Sequence, residues 1–402
     1  MIFFAELLTL VSLLAPTPVQ KKVVIPTPSG GSFYTNATAV RETRDSLNNE
    51  ISNSRKNAIT RAVGKASPAV VGINVTEIRE QRYYDPFEQY YQNDPLFRQY
   101  FGNRGGAGGY VQRYQVKELG SGFIISPDGY ILTNDHVAGN ASKIIVTTTS
   151  GKQYDAKIVN TDPVNDVCLL KIDAQDLAFL KFGSSSDIDV GEWAIALGNP
   201  FGLFEKNNKP TVTVGVVSNN GVNLGYDNGK NFREMIQTDA AISSGNSGGP
   251  LLNINGDVIG MNSTIFSTAQ SNQGSGSIGL GFAIPINRIK KIVDDFHSGN
   301  KVQHNMALGL LGETLDNDKR QAYGINATYG VLIMSITRSS VADQAGIQAG
   351  DVVTAVNGEK VRTDEELQSI IADHKVGDVL AFDIMRGENS GTIRLKLPPA
   401  SK

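Results

Sequence analysis

The 402-residue chain contains only one cysteine, Cys168, so no disulfide can form within it and packing must hold the fold together. Because Cys168 lies in the apolar run VCLL, the sequence predicts a buried strand thiol rather than a reactive one. The four histidines are scattered without the spacing of a metal site. We therefore expect neither a metal nor another cofactor.

Excess charge and long apolar runs are also lacking. The net charge is −3 and no dense lysine or arginine run occurs, so we expect no nucleic-acid partner. The apolar stretch Ile2–Ala15 is too short for a clean membrane span. It is typical of a signal peptide or signal anchor, although a basic start and an A-x-A cleavage site are missing. This segment predicts export, by cleavage or with a membrane tether.

Glycine is abundant instead, with 42 residues between short β-branched runs, which predicts many turns in a barrel or sandwich. The predicted organisation has five parts: an apolar signal- or anchor-like segment (1–20), a flexible tether (21–57), a first domain (58–300), a linker (301–306) and a smaller αβ domain (307–398).

A long aromatic and glycine-rich segment, Glu77–Tyr114, interrupts the first strands and is predicted to be a loop. Its aromatic side chains are expected to pack either on their own domain or on a neighbouring subunit, and both alternatives remain open. An amphipathic helix over Asn287–Asn300 is expected to close the first domain.

The stretch SSGNSGGPLL places Ser247 among glycines, where a serine is either a turn residue or a nucleophile. A serine nucleophile needs an imidazole base and a third group that orients the imidazole. His136 follows the apolar strand Tyr130–Leu132, and Asp166 directly precedes an apolar strand. In contrast, Asp162 heads a Pro-containing turn and is expected to cap backbone amides. The sequence thus predicts a His136–Asp166–Ser247 triad.

The glycines acquire a chemical role beside such a nucleophile. A tetrahedral intermediate needs backbone N–H groups aimed at its oxyanion, and Gly245, Asn246 and Ser247 form the predicted oxyanion hole, with Gly245 and Ser247 as donors. Gly248 and Gly249 are expected to permit close approach of the barrel.

The order His136, Asp166, Ser247 is that of chymotrypsin. In that order, the motifs TNDHV, DPVNDVCLLKI, GEWAIALGNPFGL, QTDAAISSGNSGGPLLN and GFAIP resemble the HtrA (high-temperature-requirement, Deg-type) family of trypsin-like serine proteases. The resemblance covers roughly Ala58–Leu397. It implies a mainly β protein in which one αβ PDZ domain follows a chymotrypsin-like double β-barrel protease domain.

The predicted specificity pocket contains Ala241 and Ile242. Ala241 stands six residues before Ser247, where trypsin-like enzymes that select basic residues carry an acid. We therefore expect cleavage after small or medium aliphatic residues. Asp239, two residues before Ala241, is expected to stabilise the fold rather than to select the substrate.

In the second domain, YGVLIMSI joins a glycine turn to a strand, and Asp364–His374 is predicted to be a helix. A C-terminal peptide is expected to bind between them, its carboxylate held by backbone amides and its chain added to the strand. The predicted contacts are Tyr329, Gly330, Val331, Leu332 and Ile333.

The resemblance implies an ATP-independent endopeptidase of protein quality control in the bacterial periplasm or cell envelope, soluble or anchored to the inner membrane. Its implied partners are unfolded or misfolded proteins, C-terminal peptides and further copies of the chain, in a homotrimer or a larger assembly. The alternative is a chaperone or PDZ scaffold with a switchable, mostly silent protease.

Three departures from the family are visible. Ser243 and Ser244 replace an Asn-Pro pair, the loop Ser218–Phe232 lacks an arginine expected to relay activation, and Asp135 replaces an asparagine, which is expected to matter little.

Overall fold

The computed structural model describes residues 55–83, 110–199, 209–243, 245–263, 279–298, 302–304 and 307–399. Its helices and strands belong to one compact unit, Lys56–Lys402, and the apolar segment and most of the tether lie outside the described residues. None of the helices in the described ranges is long and apolar enough to cross a membrane. Helix α1 (Ala58–Ala66) opens this unit, and its N-cap Asn57 accepts a 2.9 Å hydrogen bond from Thr60 N.

Six antiparallel strands close the first barrel in the order β1-β2-β3-β6-β5-β4. They are β1 (Val70–Tyr83), β2 (Tyr110–Ile124), β3 (Tyr130–Thr133), β4 (Lys143–Thr148), β5 (Gln153–Asp162) and β6 (Val167–Ile172). A short helix, α2 (Asp135–Ala138), follows β3. Cys168 on β6 is fully buried, and burial raises the pKa of its thiol, so the predicted buried strand cysteine is confirmed.

A second closed barrel has the order β11-β14-β13-β12-β7-β8. Its strands are β7 (Trp193–Gly198), β8 (Thr211–Val222), β11 (Met235–Thr238), β12 (Pro250–Leu252), β13 (Val258–Ser263) and β14 (Gly281–Pro285). Between β8 and β11, the strands β9 (Gly225–Asp227) and β10 (Lys230–Phe232) form a separate two-stranded hairpin. Helix α3 (Ile286–His297) follows β14. It begins one residue before the predicted Asn287–Asn300 element and ends three residues before the end of that element.

Apolar packing explains why these strands close. Large side chains in both barrels are fully buried, and each contributes roughly 1.5–3 kcal/mol relative to an exposed position. They include Phe123, Ile131, Leu132, Leu169, Leu170, Ile195 and Leu197. The predicted double barrel is confirmed.

The prediction of a loop over Glu77–Tyr114 is wrong at both ends. Strand β1 continues to Tyr83 and β2 begins at Tyr110, in a continuous ladder from Val70↔Phe123 to Tyr83↔Tyr110. Backbone hydrogen bonds of an antiparallel pair do not depend on apolar side chains, so a polar strand gives a weak sequence signal. The aromatic residues between these strands lie outside the described residues, and their packing stays a prediction.

The C-terminal domain is a sheet of order β15-β16-β17-β19-β20, with β18 paired to β17. Its strands are β15 (Leu310–Thr314), β16 (Val331–Ile336), β17 (Val352–Val356), β18 (Glu359–Lys360), β19 (Val379–Arg386) and β20 (Asn389–Lys396), and its helices are α4 (Asn317–Tyr323), α5 (Val341–Ala345) and α6 (Asp364–Ala372). The helix predicted over Asp364–His374 is α6, which ends at Ala372, and its side chains Leu367, Ile370 and Ile371 are buried in the core of this domain.

A buried histidine joins the C-terminal domain to the first barrel. His304 Nε2 lies 3.2 Å from Asp162 Oδ1, while His304 Nδ1 lies 2.9 Å from the carbonyl oxygen of His374. Both ring nitrogens face acceptors, an arrangement that suits the imidazolium. Burial opposes protonation of His304, but the hydrogen bond and charge of Asp162 outweigh it and raise the pKa of His304 above its ordinary value.

We predict a pH-dependent loss of stability for His304→Gln. A group whose pKa is raised on folding stabilises the fold below its unfolded pKa, and this contribution disappears as pH rises through the folded pKa. His304→Gln should therefore lower the free energy of unfolding by about 2 kcal/mol at pH 5.5, and by clearly less at pH 9. Urea denaturation at both pH values measures the difference, with the exposed His297→Gln as control. An equal loss at both pH values would contradict the charged pair.

Candidate active site

Ser247 lies in a turn that packs against the first barrel. Its carbonyl oxygen accepts a 2.9 Å hydrogen bond from the N–H of Ser121 on β2. Gly248 has a left-handed φ of 82°, and a Cβ there would lie 2.3 Å from both Ser121 O and Thr133 Oγ1. A side chain at Gly249 would meet Leu197 O at 2.1 Å. The close approach predicted for both glycines is confirmed. A larger residue at either position would force the neighbouring backbone to move.

His136 and Asp166 are brought together on the same side of the first barrel. His136 Nδ1 lies 2.8 Å from Asp166 Oδ2, and the backbone N–H of His136 donates to Asp166 Oδ1 at 3.0 Å. Asn134 precedes α2 and donates its side-chain amide to Asp166 O at 3.0 Å. A Cβ at Gly248 would lie 3.1 Å from Asn134 N, so the Ser247 turn reaches the start of the helix that carries His136.

Asp166 is an ionised carboxylate in a closed environment. Its side chain is 2% exposed, whereas that of His136 is 34% exposed and accessible to a substrate. Burial raises the pKa of Asp166, but His136, by hydrogen bond and charge, and Lys230 outweigh this and lower it below the usual value. A buried anion that accepts from Nδ1 fixes the imidazole tautomer with Nε2 as the basic nitrogen.

Asp135 adds a second carboxylate beside this pair. Asp135 is 9% exposed, and burial first and the like charge of Asp166 second raise its pKa to about 6. The replacement of an asparagine by Asp135, expected from the sequence to matter little, therefore places a second titratable acid next to the Asp166 carboxylate.

The central residue of the predicted oxyanion hole, Asn246, bonds within its own turn. Asn246 donates its N–H to Ser243 O at 2.9 Å and its side-chain amide to Ala241 O at 3.4 Å, so this N–H is bonded within the turn, and the place of Asn246 in the oxyanion hole stays a prediction. The backbone geometry commits this residue to the turn itself. Gly245 has a left-handed φ of 97°. The donor roles of Gly245 and Ser247 stay a prediction.

Ser121 was missed by sequence reasoning. It is fully buried, donates its hydroxyl to Gly245 O at 2.5 Å and accepts a hydrogen bond from Asn199 N at 2.7 Å. One side chain of the first barrel thus holds the nucleophile turn and the end of β7, both in the second barrel. A serine between two glycines in an apolar strand, GSGFI, was the available signal.

The predicted pocket residues lie just before the nucleophile turn. Ala241 is exposed, and its carbonyl accepts from Thr213 Oγ1 at 2.8 Å. Ile242 is 5% exposed, and its Cδ1 would lie 2.9 Å from a Cβ at Gly281. Asp239 accepts a 2.7 Å hydrogen bond from Val216 N, in agreement with its expected structural place.

The predicted peptide-binding strand of the C-terminal domain is wrong. Val331, Leu332 and Ile333 are buried in β16, which pairs with β15 on one side and β17 on the other. Gly330 accepts at its carbonyl from Leu315 N, and the Tyr329 ring lies 6.0 Å from Lys360 Nζ. Because both edges of β16 are occupied, no peptide can add to it.

Strand β15 has the free edge that β16 lacks. In the described part of the sheet, its strand partner is β16 alone, and α6 packs nearby with Asp364 bonded to Thr314 Oγ1 at 2.5 Å. Leu311 on β15 is 59% exposed. Strand β15 therefore offers a backbone edge and, at Leu311, an apolar surface, both of which strand addition requires.

Known families account for both parts of this architecture. The trypsin-like peptidase domain family matches residues 120–261, which include His136, Asp166 and Ser247, and the PDZ domain family matches residues 309–397. Together with the two barrels, these matches define the class: a trypsin-like serine peptidase with a PDZ domain.

Individual relatives refine that class. The chain is 40% identical over 338 residues to a probable DegP-like periplasmic serine endoprotease of Chlamydia trachomatis, covering 81% of this chain and 65% of that protein. It is 36% identical over 357 residues to the periplasmic serine endoprotease DegP of Salmonella typhimurium, covering 84% and 71%. The chain belongs to this DegP-like, HtrA-type family of serine endoproteases. It spans 58–65% of the length of three chlamydial relatives.

A solved structure agrees with the family. The HtrA-type protease AlgW with a decapeptide superposes with a TM-score of 0.64 at 29% identity, covering 86% of this chain and 99% of that one.

We predict that Ser121→Ala impairs the site without unfolding the protein. Loss of the hydroxyl removes one hydrogen bond from Gly245 O and one from Asn199 N, each of which contributes about 1 kcal/mol. The misplaced turn should therefore lower the rate at which Ser247 reacts by about tenfold. The reaction rate of Ser247 with diisopropyl fluorophosphate measures this. The exposed Ser150→Ala is the control, and an unchanged rate in Ser121→Ala would refute the role.

Proposed function

We propose that this protein is a serine endopeptidase of protein quality control that hydrolyses unfolded or misfolded exported proteins without ATP or a cofactor. One observation carries the proposal: His136 Nδ1 lies 2.8 Å from the Asp166 carboxylate, next to the surface on which the Ser247 turn packs. The names of the relatives favour this function over a chaperone or scaffold with a silent protease.

In the proposed reaction, His136 takes the proton of Ser247 Oγ as the oxygen attacks the peptide carbonyl. Asp166 holds the imidazole and stabilises the imidazolium, and the N–H groups of Gly245 and Ser247 receive the oxyanion. His136 then protonates the leaving amine. Water, deprotonated by His136, hydrolyses the acyl-serine and returns the enzyme to its first state.

Substrate preference is proposed from the surroundings of Ala241 and Ile242. No carboxylate stands at position 241, and the buried Ile242 fills the space beside Gly281. Such a pocket rejects a lysine or arginine side chain, whose charge would be buried without a partner, and accepts valine, alanine or isoleucine.

The PDZ domain is proposed to bind hydrophobic C-terminal peptides at β15 and α6 and thereby regulate cleavage. AlgW was solved with a decapeptide, and a peptide added to β15 would lie against α6. Relatives named as periplasmic support a place in the bacterial periplasm or cell envelope. A homotrimer and an N-terminal membrane tether belong to the same proposal.

Casein cleavage tests the peptidase directly. Wild type should degrade casein without ATP, and Ser247→Ala should lower the rate by at least about 10⁴-fold because the hydroxyl that forms the acyl intermediate is removed. Thermal unfolding of both proteins controls for folding. Absence of wild-type cleavage in the presence of a hydrophobic C-terminal peptide would instead support the scaffold.

Peptide affinity tests the groove. Leu311→Glu should lower the affinity for a fluorescent peptide with a C-terminal valine by about tenfold, because the carboxylate places a charge on the apolar edge. Fluorescence anisotropy measures the dissociation constant. Val379→Glu changes a similarly exposed residue, 54% against 59%, on a strand away from that edge. Equal effects of the two variants would contradict binding at β15.

A further inference from the structure

Lys230 provides a contact to Asp166 that the triad alone does not require. Its ammonium nitrogen lies 2.8 Å from Asp166 Oδ1, and its side chain is 25% exposed. Lys230 begins β10, in the hairpin between two strands of the second barrel, whereas Asp166 belongs to the first barrel. The carboxylate thus accepts from His136 and from a cation carried by a different part of the fold.

The cation faces more than one acid. Asp166 and Asp135 lie close enough for the charge of each to affect the other, and Lys230 and His136 are the cationic groups that offset them, with Asp162 as a further anion. Two like charges in a buried place repel each other, and a nearby ammonium reduces that cost. Lys230 therefore stabilises the ionised Asp166 carboxylate and occupies one of its lone pairs.

The next residue fixes the hairpin to the PDZ domain. Asn231 is 3% exposed, donates its side-chain amide to Ser369 O at 3.0 Å and accepts from Ser369 Oγ at 2.6 Å. Ser369 lies on α6. The backbone N–H of Asn231 donates to Val164 O at 2.7 Å, two residues before Asp166. One residue thus touches the PDZ helix and the segment that carries the acid.

Arg233 strengthens the same junction. Its guanidinium, in a side chain 7% exposed, bonds both carboxylate oxygens of Glu359 at 2.5 and 2.7 Å. An arginine therefore stands one residue beyond the predicted loop Ser218–Phe232, and its side chain reaches the PDZ domain.

We propose that Lys230 is a positioning residue of the active site, which holds the Asp166 carboxylate in the orientation that His136 needs. The contact of Asn231 with Ser369 on α6 holds the hairpin where the Lys230 ammonium can reach Asp166. The PDZ domain thereby acts on the acid of the proposed triad. This inference rests on the proposed function. A peptide bound beside α6 favours the arrangement in which Lys230 contacts Asp166 only if it binds that arrangement more tightly than the one without the contact.

Substitutions of Lys230 test the contact. Lys230→Met should lower kcat about tenfold with little change in KM, because the carboxylate loses a donor and the imidazole its fixed orientation. The acid limb of the kcat/KM profile should move up by about one pH unit, since no cation then opposes the attraction of the imidazolium to Asp166. Lys230→Arg keeps charge and donors and should recover most of the rate.

Lys157→Met is the matched control, because it removes a lysine charge from an exposed position of β5. Its kcat and pH profile should equal those of wild type. Thermal unfolding of each variant separates misfolding from misplacement, and Lys230→Arg covers the case in which Lys230→Met does not fold. An active wild type with an unchanged pH profile in Lys230→Met would overturn the inference and leave the proposed function intact.

The PDZ link has its own variant. Ser369→Ala removes the hydroxyl that donates to Asn231 and should lower the reaction rate of Ser247 with diisopropyl fluorophosphate about threefold. In Lys230→Met the same change should add no further loss, since the contact acts through Lys230. Independent, additive losses would refute transmission through Lys230. A wild type that reacts with neither casein nor the reagent would instead refute the proposed function.

Discussion

Burial of the Asp166 charge is the constraint on which the rest of the site depends. A carboxylate removed from water needs donors on every side, and these come from the backbone and ring of His136 and from Lys230. Asp166 itself adopts a left-handed φ of 56°, which few residues other than glycine tolerate. The first barrel supplies the acid and base, the second supplies the nucleophile turn, and the separate β9–β10 hairpin supplies the cation, so neither barrel contains the complete site.

Sequence reasoning predicted the parts of the site that chain order and residue chemistry specify. His136, Asp166 and Ser247 could be selected because a serine nucleophile needs those partners, and Asp162 was correctly given a capping role, since it accepts from Asn165 N at 3.0 Å. Ser121 and Lys230 could not be selected. Their importance comes from contacts with residues more than sixty positions away in the chain, and no local pattern encodes such contacts.

Strand patterns located the elements of the PDZ domain but not their neighbours. An apolar run such as VLIMSI predicts a buried strand but does not show that both backbone edges of this strand are paired, and it is this pairing that prevents peptide addition. The less apolar run LLGET forms the free edge. The oxyanion turn shows a similar limit: the sequence places Asn246 between two candidate donors, and only the fold shows that its N–H is already bonded.

The buried position of Cys168 has a practical consequence. Since the sole thiol of the chain is enclosed in β6, a cysteine introduced elsewhere on the surface would be the one site open to a maleimide dye or spin label in the folded protein. Distances between such labels could then follow the hairpin and the PDZ helix in solution without first removing a native sulfur.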